Sequence, residues 1–114
     1  MNLSFRTRKL KLALEDEARR RKEYGADMAK KIALRLTALV AAESLADFWP
    51  PKQGPERCHR LTGDLSGTFS MDVKQPYRLL FEPVDLPEPQ PDDELERWKT
   101  IRSVEILGIE DTHE

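Results

Sequence analysis

The spacing of apolar residues changes along this chain from three-or-four to two, and the change falls at a cluster of breakers, Pro50, Pro51, Gly54 and Pro55. A chain with that pattern folds with helices first and strands second. Residues 7 to 24 favour helix, with Thr7 at the N-cap, a basic run from Arg19 to Lys22, and Gly25 as the C-terminal stop. A second helix is expected over 26 to 44. Its apolar set Met28, Ile32, Leu36, Leu39 and Val40 forms one buried face, while Asp27, Lys30, Lys31 and Arg35 stay exposed. Beyond the breakers, 57 to 61 is a short strand, and Gly63-Asp64 opens a turn. Residues 68 to 73 then alternate with Phe69, Met71 and Val73 on the buried side. Lys74-Gln75-Pro76 turns the chain into a third strand, Tyr77 to Phe81, and residues 101 to 109, rich in β-branched side chains, form a fourth. Helices followed by strands on short turns make an α+β fold, with an antiparallel or mixed sheet and the helical hairpin on one face.

Between the third and fourth strands, Pro83, Pro87, Pro89 and Pro91 are too dense for helix or central strand, so an acidic, proline-rich exposed loop is expected over about 83 to 99. Charge divides along the same lines. Residues 1 to 35 hold eleven Lys and Arg against five Asp and Glu, a net of +6, and residues 36 to 83 hold five against six. Residues 84 to 114 hold three against ten, a net of −7, and six of those acids fall in 84 to 96, which has no Lys or Arg. The formal net charge of −2 is therefore a sum of opposites, and it does not argue against an RNA partner. The acidic run is either solvated loop or a charged device, and the helix lysines either an ordinary wet face or a binding surface.

At 114 residues one domain spanning 1 to 114 is expected. No apolar run approaches the ~18 residues of a membrane span, and Phe5 leads straight into Arg6, Arg8, Lys9 and Lys11, so the expected location is the cytoplasm. One cysteine, Cys58, excludes an intramolecular disulfide, and with only His59 and His113 beside it no four-ligand zinc site is implied. Glycine-rich phosphate loops, nucleophile elbows and His-Glu-x-x-His helices are absent. No cofactor is called for.

What remains is a small set of polar side chains. Arg78 lies between Tyr77 and Leu79, and alternation turns it to the opposite face, where a guanidinium either grips a phosphate or pairs with Asp72 or Glu105 across the sheet. His59 and His113 are the residues able to exchange a proton near neutral pH, or else a structural strand histidine and a chain-end histidine. Asp111 stands where it can orient an imidazole. Cys58 reads as packing.

These residues fall in a recognisable order. Cys58-His59-Arg60-Leu61-Thr62-Gly63-Asp64, then Gln75-Pro76-Tyr77-Arg78-Leu79-Leu80-Phe81, then Val104-Glu105-Ile106, then Asp111-Thr112-His113 resembles the HigB branch of the RelE/ParE toxin superfamily. The resemblance covers nearly the whole chain. It implies two amino-terminal helices packed on a curved, mainly antiparallel sheet of four to five strands. It also implies the toxin of a type II toxin–antitoxin pair, neutralised by a small antitoxin protein of helix-turn-helix type. For this branch it further implies a metal-free mRNA endonuclease acting on the ribosome and so inhibiting translation. Carried over, His59 and His113 would move protons, Asp111 would support them and Arg78 would hold the phosphate, with Lys30, Lys31, Arg60 and Lys74 as RNA contacts. Three departures from the pattern stand out: Thr62 where relatives carry Lys, Thr112 where they carry Tyr, and an acidic loop from about 84 to 99 that lengthens a normally short connection. They keep open a gyrase-poisoning toxin of the ParE kind, or a toxin-fold module without catalysis.

Overall fold

The structure, a computed structural model, describes residues 1–112. Thr7 caps the first helix as expected, its Oγ1 accepting from the Leu10 amide at 3.0 Å. The single helix expected over 7 to 24 is instead two, α1 (Arg8–Glu15) and α2 (Glu17–Tyr24). Asp16 is the reason: a short carboxylate competes with helix backbone, and here it takes the Arg19 amide at 2.9 Å to start α2. Gly25, at φ 84°, then lets the chain reverse in one residue into α3 (Ala26–Ala41).

Helix α3 is shorter than expected, ending at Ala42, and a 3-10 turn follows over Leu45–Phe48. Its buried stripe is Ala29, Ile32 and Leu39. Val40, expected inside, is 60% exposed, because it lies about 80° around the helix from Ile32 while Leu39 is nearly in line with it. Arg35, expected in water, is half-buried. Its Nε donates to the Asp72 carbonyl at 2.6 Å and its Nη2 to the Pro55 carbonyl at 3.2 Å.

Five strands form one sheet: β1 (Asn2–Phe5), β2 (His59–Arg60), β3 (Phe69–Lys74), β4 (Tyr77–Pro83) and β5 (Ser103–Asp111), in the order β1-β5-β4-β3-β2. All neighbours are antiparallel except β1 on β5. Strand β1 was not expected: at four residues before a basic run it carries too little alternation, and its partner lies about a hundred residues away. One sheet face carries Phe69, Met71, Leu79, Phe81 and Ile106 and packs with Leu14, Ile32 and Leu39 of the helices into the core. The edge of β3 beyond β2 is covered, since the Asp72 amide donates to the Glu56 carbonyl at 2.7 Å while Arg35 takes its carbonyl. A backbone that would otherwise recruit a foreign strand is thereby occupied.

The acidic segment corrects the largest expectation. Residues 84 to 92 are irregular, but Asp93 caps a helix, α4 (Glu94–Thr100), accepting from the Glu96 amide at 3.0 Å. Glu94 and Glu96 stand in the first turn and Arg97 and Lys99 in the last, matching the helix dipole at both ends. Trp98 is 1% exposed and meets Trp49 edge-on at 5.1 Å and Phe69 at 5.5 Å. The segment expected as an exposed loop supplies part of the core.

Candidate functional site

The opposite face of the sheet mixes apolar and polar side chains, the first row of them buried. His59, Ser70 and Leu80 form one row across β2, β3 and β4, and Asp72 and Arg78 form the next row on the same face. From strand spacings alone the Cα atoms of His59 and Arg78 stand about 12 Å apart.

His59 is buried, and its Nδ1 lies 2.7 Å from the Arg57 carbonyl. A carbonyl only accepts, so Nδ1 carries the proton and Nε2 of the neutral ring keeps its lone pair. That is the form required of a base. Beside it, the Ser70 hydroxyl is buried without a hydrogen-bond partner among the described residues. An unpaired buried hydroxyl is costly.

Of the two roles open from sequence, Arg78 shows the cross-strand pair. Its Nε is 3.5 Å from Asp72 Oδ1, the cross-strand ion pair, while Glu105 stands opposite Glu82 instead. The pair is Coulombic rather than directional, since among the described residues Asp72 Oδ1 has no hydrogen bond. Arg78 Nη1 donates to Thr112 Oγ1 at 3.1 Å, so the threonine that replaces an aromatic residue of the expected pattern steadies the guanidinium. Asp72 also takes a second cation, with Arg57 Nε 3.2 Å from its Oδ2. Sequence reasoning missed Arg57. The strand expected from 57 is only His59–Arg60, and Arg57 stands before it in a turn with a left-handed φ, so no strand alternation pointed to it.

Asp111 ends β5 opposite Tyr77, next to Glu110, which is the register partner of Arg78. His113 lies outside the described residues. Lys74 closes β3 at the same end of the sheet as Arg78, and its Nζ meets Asp27 of α3 at 2.8 Å. Lys31 joins the same carboxylate at 3.6 Å. The Lys74 hydrogen bond, then the charges of Lys31 and Lys74, hold Asp27 below the usual carboxylate range. Lys30 is exposed and lines a shallow recess between α2 and α3 with Arg20 and Arg21. Arg60 stands apart from all of these. It pairs with Phe69, on the opposite face from His59, at the mouth of a cleft of about 310 Å³ floored by Phe69, Pro83 and Trp98. Cys58 is fully buried in the core, and burial followed by the charge of Glu56 pushes its thiol well above the usual range. Among the described residues no group of three His, Cys, Asp or Glu side chains is arranged to hold a metal, and no helix is long and apolar enough to cross a membrane.

Residues 3–87 match the model of the HigB-like toxin family, described as the RelE-like toxin of the type II toxin–antitoxin system HigB. Among solved structures the chain is similar to the YoeB-YefM complex from Staphylococcus aureus, at 16% identity and a TM-score of 0.55 over 100% of this chain and 98% of that one. It is also similar to a YoeB/ParE toxin from Agrobacterium tumefaciens, at 16% identity and a TM-score of 0.54 over 99% of this chain and 100% of that one. The YoeB dimer from Staphylococcus aureus matches at 18% identity and a TM-score of 0.53, over 100% and 98% of the respective chains. These likenesses bear on the fold, which is that of the RelE/ParE superfamily. No curated protein matches the sequence.

Proposed function

The chain belongs to the HigB-like family of RelE-like toxins of type II toxin–antitoxin systems, and from that premise we propose that it is a ribosome-dependent endoribonuclease that cuts mRNA. The observation that carries this reading is the tautomer that the Arg57 carbonyl selects at His59. Its Nδ1 donates to the Arg57 carbonyl at 2.7 Å, so Nε2 is available as a base on the sheet face that also bears Arg78. In metal-free RNA cleavage a ribose 2′-hydroxyl loses its proton and attacks its own phosphate, a cation stabilises the phosphorane, and an acid protonates the departing 5′-oxygen. His59 takes the first proton, Arg78 holds the phosphate, and His113, with Asp111 beside it in sequence, returns a proton to the leaving group. Lys30, Lys31 and Lys74 attract the RNA backbone from the helical side.

Its partner in the pair is a small antitoxin of helix-turn-helix type, and its site of action is the cytoplasm, on ribosomes. The test is induced expression without the antitoxin, with primer-extension mapping of cellular mRNA. Growth arrest with new mRNA 5′ ends is expected, lost in Arg78→Ala and His59→Gln while both variants still fold. Arrest with a DNA-damage response and intact mRNA identifies a gyrase poison instead, and unimpeded growth a toxin-fold module without catalysis.

A further inference from the structure

We infer that Arg57 is a second phosphate-gripping cation of this site, paired with Arg78 through Asp72; the inference rests on the RNA-cleaving reading and names a residue that reading lacks. Asp72 sits between the two arginines, with Arg78 Nε 3.5 Å from Oδ1 and Arg57 Nε 3.2 Å from Oδ2. Both contacts use Nε, so the paired Nη nitrogens of Arg57 remain to meet a phosphate. The exposures of the two side chains differ usefully. Arg78 is 14% exposed and Asp72 16%, which makes them the fixed inner part of the group, while Arg57 at 48% reaches solvent.

Asp72 is itself held hard. Its amide donates to the Glu56 carbonyl and its own carbonyl accepts from Arg35 Nε, so the main chain that carries the carboxylate is fixed between the two guanidinium groups. Holding the cations in place before a substrate arrives is what makes a charged site effective as charge builds on a phosphorane. Three acids stand nearby, Asp72, Glu56 and Glu110. Asp72 cancels one of the two positive charges, and Glu110, the register partner of Arg78, is exposed, where water and salt screen it. Glu56, the residue before Arg57, adds a further carboxylate, with one oxygen buried, so the cation that reaches solvent here is Arg57 itself.

The backbone at Arg57 supplies a second and independent link to the same chemistry. Its φ is 46°, in the left-handed region that a long side chain rarely adopts, and its carbonyl is the one that fixes the His59 tautomer. One residue thus orients the base through its main chain and faces the phosphate through its side chain. Main chain and side chain can be separated experimentally, because Gly and Asn accept that φ while lacking the cation.

The test uses the full chain and two readouts. The first is binding of a short single-stranded oligoribonucleotide, 2′-O-methylated so that it cannot be cut, as a function of salt. Removing one phosphate contact flattens the slope of log K against log salt by about 0.7 for single strands. Arg57→Asn and Arg57→Gly are expected to show that loss, and Arg57→Lys to keep the wild-type slope. The second readout is mRNA cleavage on programmed ribosomes, where Arg57→Asn is expected to lose at least ~10-fold, more in kcat than in KM, and Arg57→Lys not to recover it because an ammonium is no planar fork. A wild-type salt slope in folded Arg57→Asn and Arg57→Gly overturns the inference. So does full recovery of rate on adding Asp72→Asn, which would mean that Arg57 serves only to balance that carboxylate. If the wild-type protein cuts no RNA yet the slope changes as stated, the phosphate contact stands and the RNA-cleaving reading falls.

Discussion

Replacing Trp98 by alanine tests whether the acidic segment is part of the folded core. The side chain is 1% exposed, meets Trp49 edge-on at 5.1 Å and an interplanar angle of 89°, and meets Phe69 at 5.5 Å and 78°. Its two ring neighbours come from separate places, the loop before β2 and strand β3, so the hole cannot close by movement of one of them. Large-to-small changes of a buried aromatic cost about 3–5 kcal/mol, and poor collapse puts this site in the upper half of that range. Each lost edge-to-face pair contributes about 0.5–1.5 kcal/mol of that total. A chain of this size has about 5–15 kcal/mol of stability altogether, so Trp98→Ala takes a large share. With a urea dependence of about 1–3 kcal/mol per molar, a loss of ~4 kcal/mol moves the midpoint by roughly 1–4 M. Equilibrium unfolding followed by far-UV circular dichroism measures it, with Trp98→Phe as the variant that keeps part of the packing and loses about half as much or less. A loss under ~1 kcal/mol would show that α4 is a solvated appendage and that its aromatic contacts carry no weight.

Three further outcomes are expected. Asp27 has a depressed pKa in the folded state, so its contribution to stability is present above the ordinary carboxylate value of 3.8 and is lost as pH falls through the lower, folded value. Lys74→Ala should move the Asp27 titration upward in a carboxyl NMR experiment, with Lys31 keeping part of the depression; an unchanged curve would disprove the contact between α3 and the β3–β4 turn. The Cys58 thiol, buried and raised, should react with a disulfide reagent at pH 8 only at the rate of global unfolding, and rapid stoichiometric labelling of the native protein contradicts this. Asp85→Asn, Glu88→Gln and Asp92→Asn together remove three exposed charges without touching the Asp93 cap or α4, and should strengthen low-salt RNA binding several-fold; equal binding at all salt concentrations would mean the acids act on something else.

The parts of this fold legible in the sequence are those with repeated local signals. Alternation located β3 and β4 and turned Arg78 away from the core, and Thr7 and Gly25 marked helix ends by their own chemistry. Strand β1 was not legible because what makes it a strand is Ser103 to Ile106, about a hundred residues away. Helix α4 was hidden for a different reason: at seven residues it is too short to show a period, and four prolines just before it dominate the local reading. At the site, sequence could propose His59 and Arg78 from side-chain chemistry. It could not show that the Arg57 carbonyl chooses the histidine tautomer, since a left-handed φ at an arginine has no sequence signature.

Arg60 shows how one step along a strand separates functions. It is the immediate neighbour of His59, it is exposed, and as a cation beside a catalytic candidate it reads as an RNA contact. Yet it pairs with Phe69 while His59 pairs with Ser70, so the two lie on opposite sheet faces. Its surroundings are then Trp98, Pro83 and Glu94, all contributed by the segment from 83 to 101. The basic residues of this chain consequently serve different surfaces. Lys74, Arg57 and Arg78 gather at the turn end of β3 and β4, whereas Arg60 faces the cleft under the acidic segment. If Arg60 touches RNA in spite of that placement, Arg60→Ala should flatten the salt slope as much as Arg57→Asn does; the geometry predicts that the slope stays at the wild-type value.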